Sequence, residues 1–200
     1  MRIIVVGGTG TIGKAVVSEL AKRHTVIVAG FTHGDVQVNI RDIQSIENMY
    51  QSVGQFDAVV STVGKVHFGS LADMTAENYF VGLQDKLMGQ VNLVTAGLAR
   101  IQDGGSFTLT SGILSADPIR YGASASMVNG AIDSFCKAAA IEMTRQIRIN
   151  AVSPTVITES LEDYGDYFHG FESVPAARAA LAYSKSVEGA QTGQVYQIWR

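Results

Sequence analysis

The stretch Val6-Gly7-Gly8-Thr9-Gly10-Thr11-Ile12-Gly13 decides the fold, because three of its glycines recur at every third position. It follows the apolar run Arg2–Val6 and opens a segment from Ile12 to Leu20 that has the residue pattern of a helix. A glycine-rich turn between a buried strand and a helix is typical of nucleotide-binding α/β proteins. The opening of the chain therefore predicts such a protein.

The three regularly spaced glycines of this turn have different structural roles. Gly7 permits the tight turn, Gly10 lets the backbone approach a pyrophosphate, and Gly13 lets the helix pack close to the strand. Backbone N–H groups at the start of the helix attract anions. The predicted dinucleotide site consists of Gly7, Thr9, Gly10, Thr11, Ile12 and Gly13. A turn with a structural role alone is the alternative.

The end of the second predicted strand bears on which dinucleotide binds. Proteins that bind NAD carry an acid there for the ribose 2′-hydroxyl, whereas an arginine nearby accommodates the 2′-phosphate of NADP. In this chain no acid occurs before Asp35, and Phe31 is placed to cover an adenine face. The candidate phosphate ligands are Thr32, His33, Lys14 and Arg41. The sequence slightly favours NADP, with NAD as the alternative.

Apolar runs rich in β-branched residues alternate with helical segments along the chain. The predicted strands are Arg2–Val6, Thr25–Ala29, Val36–Ile40, Asp57–Ser61, Ser106–Thr110, Arg148–Val152 and Gln194–Ile198. The predicted helices are Ile12–Leu20, a segment after the N-cap Asp42, Thr75–Ile101, Ser124–Thr144 and Pro175–Val187. The second and third strands are joined by a turn without a helix. This order predicts one doubly wound (Rossmann) α/β domain over residues 1–200, with the ligand at the carboxyl ends of parallel strands.

The composition excludes several classes of protein. Hydrophobic residues make up 46% of the chain and charged residues 16%, so a core can be buried and disorder is excluded. A net charge of -3 gives no basic surface for nucleic acid, and no apolar run suits a membrane span or a signal peptide. The single Cys136 excludes an internal disulfide, and no residue cluster has metal-ligand spacing. We expect a cytoplasmic protein that acts on a small molecule.

Several further motifs resemble those of the short-chain dehydrogenase/reductase family over nearly the full chain. Besides the glycine turn, the matching stretches are residues 57–64, 105–111, 140–143, 148–154 and 192–195. The resemblance implies a seven-stranded parallel sheet and NAD(P)-dependent hydride transfer to or from a small carbonyl or alcohol. It also implies cofactor contacts from Asn39, Ile40, Ser61, Thr62, Val63, Gly64, Pro154, Thr155, Val156, Ile157 and Thr158.

The chain departs from this family at the residues that carry its chemistry. The family uses a tyrosine as acid and base, and a lysine one helical turn later that lowers the tyrosine pKa. In one register these positions become Ala125 and Asn129, and in the other they become Tyr121 and Ala125. The serine of the family falls at Ser111 or Gly112. Neither register supplies both the tyrosine and the lysine.

Two hypotheses follow from these departures. In the first, catalysis is rebuilt with Tyr121 as the acid and with Lys86, at the family's asparagine position, as the cation. Ser111 then polarises the carbonyl, and Asn129 binds the ribose hydroxyls. In the second, the protein binds a dinucleotide without turnover and serves as a sensor or scaffold. Each candidate also has a structural interpretation, such as a solvated lysine or a tyrosine that packs a loop.

Two features concern the substrate and the assembly. An aromatic group near the end of the chain lies where the family has its substrate lid; its members are Tyr164, Tyr167, Phe168 and Phe171. It predicts a pocket for an apolar or aromatic compound, or else a cover for the core. In the family, the helices that correspond to 75–101 and 124–144 form a subunit contact. The resemblance therefore predicts a homodimer or a homotetramer through these two helices.

Overall fold

Seven parallel strands form one sheet in the computed structural model, which describes residues 1–200. The strands are β1 (Arg2–Val6), β2 (Thr25–Gly30), β3 (Val36–Gln37), β4 (Phe56–Ser61), β5 (Ile101–Thr110), β6 (Arg148–Pro154) and β7 (Val195–Ile198). Their order in the sheet is β3-β2-β1-β4-β5-β6-β7. The chain runs outward from β1 in both directions, so β1 and β4 flank the point where the strand order reverses. The predicted doubly wound parallel sheet is confirmed.

Helices cover both faces of this sheet. They are α1 (Thr11–Leu20), α2 (Ile43–Val53), α3 (Ala76–Val81), α4 (Met88–Gly97), α5 (Ala123–Glu142), α6 (Leu161–Tyr164) and α7 (Ala176–Glu188). One core cluster of 22 buried residues includes side chains of α2, α4 and α5, and another of 11 includes side chains of α1 and α7. Burial on both faces explains why the inner strands are continuous apolar runs. None of the helices combines the length and the apolar character that crossing a membrane requires.

The segment that the sequence predicts as one helix over residues 75–101 is divided into three parts. A wide turn of π-helix at Gly82–Leu87 separates α3 from α4, and α4 ends at Gly97. The Arg145 guanidinium donates hydrogen bonds to the carbonyl oxygens of Leu98 and Ile101, which lie directly beyond the helix. The prediction of an unbroken helix to Ile101 is therefore wrong.

Strand β5 begins at Ile101, ahead of the predicted start at Ser106. Gly104 and Gly105 lie inside the strand and do not end a helix. A Cβ on Gly105 would lie 2.6 Å from the carbonyl oxygen of Asp57, so glycine is required where β5 passes β4. The register between β4 and β5 shifts at this place. Glycine at this place thus allows the backbones of β4 and β5 to lie close together, which the sequence pattern did not reveal.

The remaining predicted bounds differ by a few residues at most. Strand β3 ends at Gln37 and not at Ile40, because the Asn39 N–H donates to the Ser45 hydroxyl and leaves the sheet. The predicted N-cap Asp42 is confirmed, since its carboxylate accepts the N–H of Gln44 at 2.9 Å. No helix lies between β2 and β3, as predicted.

Candidate active site

The glycine turn joins β1 to α1 and leaves backbone donors free for an anion. Gly10 is the N-cap of α1 and supplies no side-chain acceptor, and the first turn of the helix contains no acid. The first amides of a helix have no partner within the helix, and the helix dipole places partial positive charge there. An uncapped, acid-free N-terminus of this kind fits the pyrophosphate of a dinucleotide.

The same turn is closed towards the sheet and open towards the solvent. A Cβ on Gly13 would lie 2.0 Å from the Gly7 carbonyl oxygen, and a Cβ on Gly7 would lie 2.4 Å from Val63 Cγ1. Gly7 also has a φ of +84°, in the left-handed region. A Cβ on Gly10 would meet only the Gly7 carbonyl oxygen, at 3.4 Å. The backbone is therefore exposed on the side where a pyrophosphate would approach.

Two cavities lie along the carboxyl edge of the sheet and share Val63 and Gly64 in their walls. The first, which we call the β2 cavity, also includes Gly30, Phe31 and Arg41. The second, the β5 cavity, has a volume of about 250 Å³ and lies between the loops that follow β4, β5 and β6. Since the two share a wall beside the glycine turn, they form the two halves of one groove.

Most of the predicted cofactor residues belong to this groove. Those in the β2 cavity are Gly7, Phe31, Asn39 and Ile40, and Val63 and Gly64 belong to both halves. Those in the β5 cavity are Ile12, Thr62, Pro154, Thr155, Val156 and Ile157. Thr9, Gly10, Thr11 and Gly13 form the turn between the halves. The structure thus brings together segments that are far apart in the sequence.

Besides the four residues of the glycine turn, four predicted cofactor residues do not line either half of the groove. Ser61 is fully buried at the end of β4. Thr158 donates from its hydroxyl to Ser173. Thr32 and His33 are exposed and hydrogen-bond to each other, with 2.8 Å between Oγ1 and Nδ1. Their part in cofactor binding stays a prediction.

The charged residues at the β2 end differ in how they are engaged. The Asp35 carboxylate accepts the N–H of Val28 at 2.8 Å and is therefore used to hold the turn after β2. Arg41 lines the β2 cavity and pairs with Asp85, with 3.4 Å between Nε and Oδ2. Asp85 also accepts the N–H of Lys65 at 2.7 Å. This half of the groove contains one guanidinium held by one carboxylate, and Asp35 is not part of its wall.

Lys86 extends from the π-helical turn into the wall of the β5 cavity. Its Nζ donates to the carbonyl oxygen of Ser111 at 2.9 Å. Its stem packs on Gly64, where a Cβ would lie 2.4 Å from Lys86 Cγ. Burial lowers the pKa of Lys86 to about 8, while Asp133 on α5 acts in the opposite direction. The wide turn, which is a common feature of functional sites, and the glycine together place one amine in the cavity.

Gln90, one turn beyond Lys86, ties this segment to β5. It is fully buried, and its amide nitrogen donates to the carbonyl oxygens of Lys86 at 3.0 Å and Thr110 at 2.9 Å. Its amide oxygen accepts the N–H of Thr110 at 2.8 Å. The residue thereby fixes Lys86 against the end of β5. Sequence reasoning missed Gln90. The only indication of its role was an amide side chain within a segment of mostly small and apolar residues.

Unpartnered polar atoms collect at the floor of the β5 cavity. The Ser111 hydroxyl, the Asn129 side-chain oxygen and the Thr155 hydroxyl are buried without a hydrogen-bond partner. Asn129 packs on Gly112, where a Cβ would lie 2.8 Å from its Nδ2. A buried polar group without a partner costs about 1–3 kcal/mol, so these three atoms around one cavity are available to a polar ligand.

Tyr121 is separated from this group. Its side chain is 40% exposed and does not line the cavity. Its backbone is left-handed, with a φ of +67°, and the Arg120 guanidinium lies 5.1 Å from the centre of its ring. The structure therefore brings Lys86, Ser111 and Asn129 together and leaves Tyr121 outside.

Apolar side chains form the outer wall of the β5 cavity. They are Val66, Phe68, Ile113, Leu114, Tyr164 and Phe168. The Phe68 ring centre lies 6.1 Å from that of Tyr164 and 5.3 Å from that of Tyr167. Sequence reasoning singled out Tyr164 and Phe168 but not the other four, which come from the loop after β4 and from a single 3-10 turn after β5, neither of which has a recognisable pattern.

A family model described as enoyl-(acyl carrier protein) reductase matches residues 3–194 of this chain. The chain belongs to the short-chain dehydrogenase/reductase family. The matched residues include the glycine turn and most of the groove, so the resemblance inferred from the motifs is confirmed.

Two solved structures place this short-chain dehydrogenase/reductase among others of its own size. The protein lin1944 from Listeria innocua is 51% identical, with a TM-score of 0.98 and 100% of both chains covered. A small-chain dehydrogenase in complex with NADPH is 26% identical, with a TM-score of 0.89, and the match covers 99% of this chain and 96% of that chain. The shortened form is therefore shared by other members of the family.

Two relatives whose names state an activity are longer than this chain and less similar to it than lin1944 is. Versicolorin reductase 1 from Dothistroma septosporum is 27% identical over 182 residues, which cover 78% of this chain and 69% of that protein. Tetrahydroxynaphthalene reductase from Pyricularia oryzae is 24% identical over 179 residues, which cover 76% of this chain and 63% of that protein. Both are named as reductases.

In this short-chain dehydrogenase/reductase, the polar residues of the β5 cavity come from several elements. Ala125 and Asn129, at the positions of the tyrosine and the lysine in one register, both line the β5 cavity on α5. The cation in that cavity comes instead from Lys86 on the π-helical turn.

Proposed function

We propose that the protein is an NADP(H)-dependent oxidoreductase that interconverts a small carbonyl compound and its alcohol. The observation that carries the proposal is the β5 cavity, where an amine and unpartnered polar atoms lie beside an open glycine turn. When bound, the dinucleotide supplies or removes the hydride. The chain must then hold the carbonyl, stabilise charge on its oxygen and supply a proton.

Different residues of the groove would hold the different parts of the cofactor. The uncapped amides of α1 would hold the pyrophosphate, and Phe31 and Ile40 would flank the adenine. Arg41 supports the choice of NADP, because it lines the β2 cavity while Asp35 is engaged by the backbone of β2. The complex of a similar small-chain dehydrogenase with NADPH supports the same choice. NAD remains the alternative, with Asp85, the one acid in the wall of the β2 cavity, as the candidate ligand of the ribose.

Ser111 is the candidate group for polarising the carbonyl. Its hydroxyl is buried, faces no acceptor in the protein and belongs to the cavity wall at the end of β5. A hydroxyl that is fixed before the substrate binds stabilises developing negative charge without reorganisation. Asn129, whose side-chain oxygen is also free, would accept a hydrogen bond from a ribose hydroxyl.

The apolar outer wall favours an aromatic or otherwise apolar substrate. Six apolar or aromatic side chains line that part of the cavity, and no acid of the chain lines it. A site with apolar walls and few polar groups orients such a compound through its carbonyl. The similarity to a tetrahydroxynaphthalene reductase, named for a fused aromatic compound, supports this substrate class.

A titration with NADPH and NADH, followed by a panel of ketones and alcohols headed by α-tetralone and α-tetralol, tests this function. We expect tight binding of NADPH and its oxidation by at least one aromatic ketone. Binding without turnover of any compound would contradict the oxidoreductase and favour the sensor or scaffold, which the loss of the Tyr-Lys pair motivates. Failure to bind either dinucleotide would contradict both functions.

We further propose that the protein is a homodimer or homotetramer assembled through the helices of residues 75–101 and 124–144. Exposed apolar side chains on these segments support the proposal, namely Phe80, Met88 and Met127, each between 43% and 50% exposed. Light scattering coupled to size-exclusion chromatography is expected to give a mass of two or four chains. A species of 21.3 kDa alone would contradict the assembly.

A further inference from the structure

We propose that Lys86 itself is the proton donor and acceptor of the reaction, in place of the tyrosine that the family uses. The inference rests on the proposed function and assigns its acid–base step to one atom, Lys86 Nζ. It also changes the part given to Lys86 by the sequence, where it is a cation that assists Tyr121.

The wall of the β5 cavity contains few titratable groups. Among the residues that line the β5 cavity, Lys86 and Tyr164 alone carry a titratable side chain. Tyr164 belongs to the outer aromatic wall and is 42% exposed, whereas Lys86 is partly buried beside the unpartnered Ser111 hydroxyl. Tyr121 does not line the cavity at all. Only Lys86 combines a transferable proton with a place next to the group that would hold the carbonyl.

The Lys86 amine is held in place by its neighbours. An ammonium group has three N–H donors, and the one hydrogen bond that Nζ makes is to the carbonyl oxygen of Ser111. The stem is confined by Gly64, and the backbone is held to β5 by Gln90. The amine is thus fixed in direction while two of its N–H groups are free for a substrate oxygen.

Burial also changes the protonation equilibrium of Lys86. The pKa of Lys86 falls from an ordinary value of 10.5 to about 8, because burial disfavours the ammonium, although Asp133 on α5 favours it. Asp85 on the same turn is engaged by Arg41 and by the Lys65 N–H, and Tyr164 is the one ionisable residue of α6 that lines the cavity. A group with a pKa near the working pH both gives and takes a proton efficiently. The amine therefore serves without a neighbouring tyrosine.

In the direction of reduction, the carbonyl carbon receives the hydride that a bound dinucleotide would supply, and the π electron pair of the C–O bond moves to oxygen. That oxygen takes a proton from Lys86 Nζ, so an O–H bond forms while an N–H bond breaks. The pair of electrons of the broken bond stays on nitrogen as a neutral amine, which solvent protonates again. Oxidation of the alcohol follows the reverse path.

Lys86→Arg is the decisive variant, because arginine keeps the positive charge but does not release a proton at neutral pH. We expect it to bind NADPH within about threefold of wild type and to lose about 100-fold or more in kcat for α-tetralone reduction. Wild-type kcat/KM is expected to fall above about pH 8 in reduction and to rise there in oxidation. In Lys86→Arg, this change of kcat/KM near pH 8 is expected to be absent. Lys86→Met is the control for folding: its thermal unfolding midpoint and its affinity for NADPH show whether a loss of turnover comes from a loss of structure.

A titration of the free protein supplies a readout that does not depend on turnover. In protein made with lysine labelled with carbon-13 at Cε, one signal is expected to titrate at about 8 and to be missing from Lys86→Arg. Lys137→Arg, an exposed position on α5, is the matched control and removes a different signal. Titration of the Lys86 signal near 10.5, or wild-type kcat in Lys86→Arg, would overturn the proposal. If the wild type binds NADPH but reduces no carbonyl, the proposed function fails as well; if only Lys86→Arg behaves like wild type, the function stands and this assignment falls.

Discussion

The two halves of the groove are built in different ways. At the β2 half and the glycine turn, the features that fit a ligand are backbone N–H groups and the absence of side chains at Gly7, Gly10 and Gly13. At the β5 half, they are the side chains of Lys86, Ser111 and Asn129. A backbone site is fixed by the path of the chain and allows few substitutions. A side-chain site needs only the right atoms in one place, so its chemistry can be supplied from another helix.

This contrast explains why the family pattern is intact in one half and altered in the other. The helix N-terminus at Gly10 depends on the β1–α1 packing of the whole fold. The amine of the β5 half depends on a single wide turn of helix, on Gly64 and on Gln90. Four substitutions, ranked by expected effect, test whether the two halves are as separate as the structure indicates.

The largest effect is expected from Gly13→Ala in the glycine turn. The new Cβ would lie 2.0 Å from the Gly7 carbonyl oxygen, so α1 must shift, at a cost of about 3 kcal/mol in the free energy of unfolding. NADPH binding is expected to be lost, as measured by calorimetric titration, and urea unfolding measures the stability. Gly130→Ala in α5 is the matched control, because its Cβ would meet nothing within 4 Å; it should gain about 0.5–1 kcal/mol. Equal effects of the two changes would contradict the close packing of the turn.

Ser111→Ala is expected to separate catalysis from cofactor binding. Removal of one preorganised donor lowers kcat by about 100-fold, while the Kd for NADPH is expected to stay within twofold of wild type, roughly the scatter of such assays. Steady-state kinetics with α-tetralone and a fluorescence titration measure the two quantities. Ser106→Ala is the control, because it removes another buried, unpartnered hydroxyl, from the middle of β5. It should change neither kcat nor the Kd for NADPH. A loss of NADPH affinity in Ser111→Ala would mean that the halves are not independent.

Arg41→Ala is expected to act on the β2 half alone. The Kd for NADPH should rise about tenfold, since a charge-assisted contact to phosphate is worth about 1.4 kcal/mol, and the Kd for NADH should be unchanged. Parallel titrations with both dinucleotides measure the difference. Lys22→Ala, which removes a surface charge paired with Glu19, is the control. An equal change for NADPH and NADH would contradict a role for Arg41 at the 2′-phosphate.

The smallest effect is expected on the α1–α7 side, away from both halves. Hydrogen bonds from Arg23, Ser184 and His24 lower the pKa of Glu188 to about 2. A carboxylate whose pKa is lowered by folding adds stability above its ordinary range near 4.5, and loses it as the pH falls towards 2. Because this network is partly exposed, Glu188→Gln should cost at most about 1 kcal/mol near neutral pH and nothing at the acid end. Urea unfolding of the wild type and of Glu188→Gln across that pH range measures this difference in stability. A change in the NADPH affinity of the variant would contradict the separation of this side from the groove.

The sheet and the glycine turn could be predicted because their causes are local. The apolar runs of β1, β2 and β4, the cap at Asp42 and the glycine spacing are all visible within a few neighbouring residues. The division of the 75–101 segment was not predictable, since it depends on Arg145 and Gln90 contacts with β5. The role of Gly105 was not predictable either, because the residue that it packs against belongs to β4 and is distant in the sequence.

The candidate site was predicted in part, for the same reason. Ser111, Asn129 and Lys86 could be singled out because each follows or faces a recognisable motif. The place of Tyr121 could not be predicted, because its own left-handed backbone and its exposure outside the cavity wall are not visible in the sequence. The apolar wall from Val66, Phe68, Ile113 and Leu114 was missed, since loop residues carry no periodic pattern.

The measurement that bears most directly on the central claim is a calorimetric titration of the purified protein with NADPH, repeated with Gly13→Ala. The claim is that amides at the start of α1 hold a dinucleotide pyrophosphate beside the β5 cavity. It predicts saturable heat at one NADPH per chain for the wild type and none for the variant. Absence of heat with the wild type, together with an unchanged unfolding temperature, would contradict the claim.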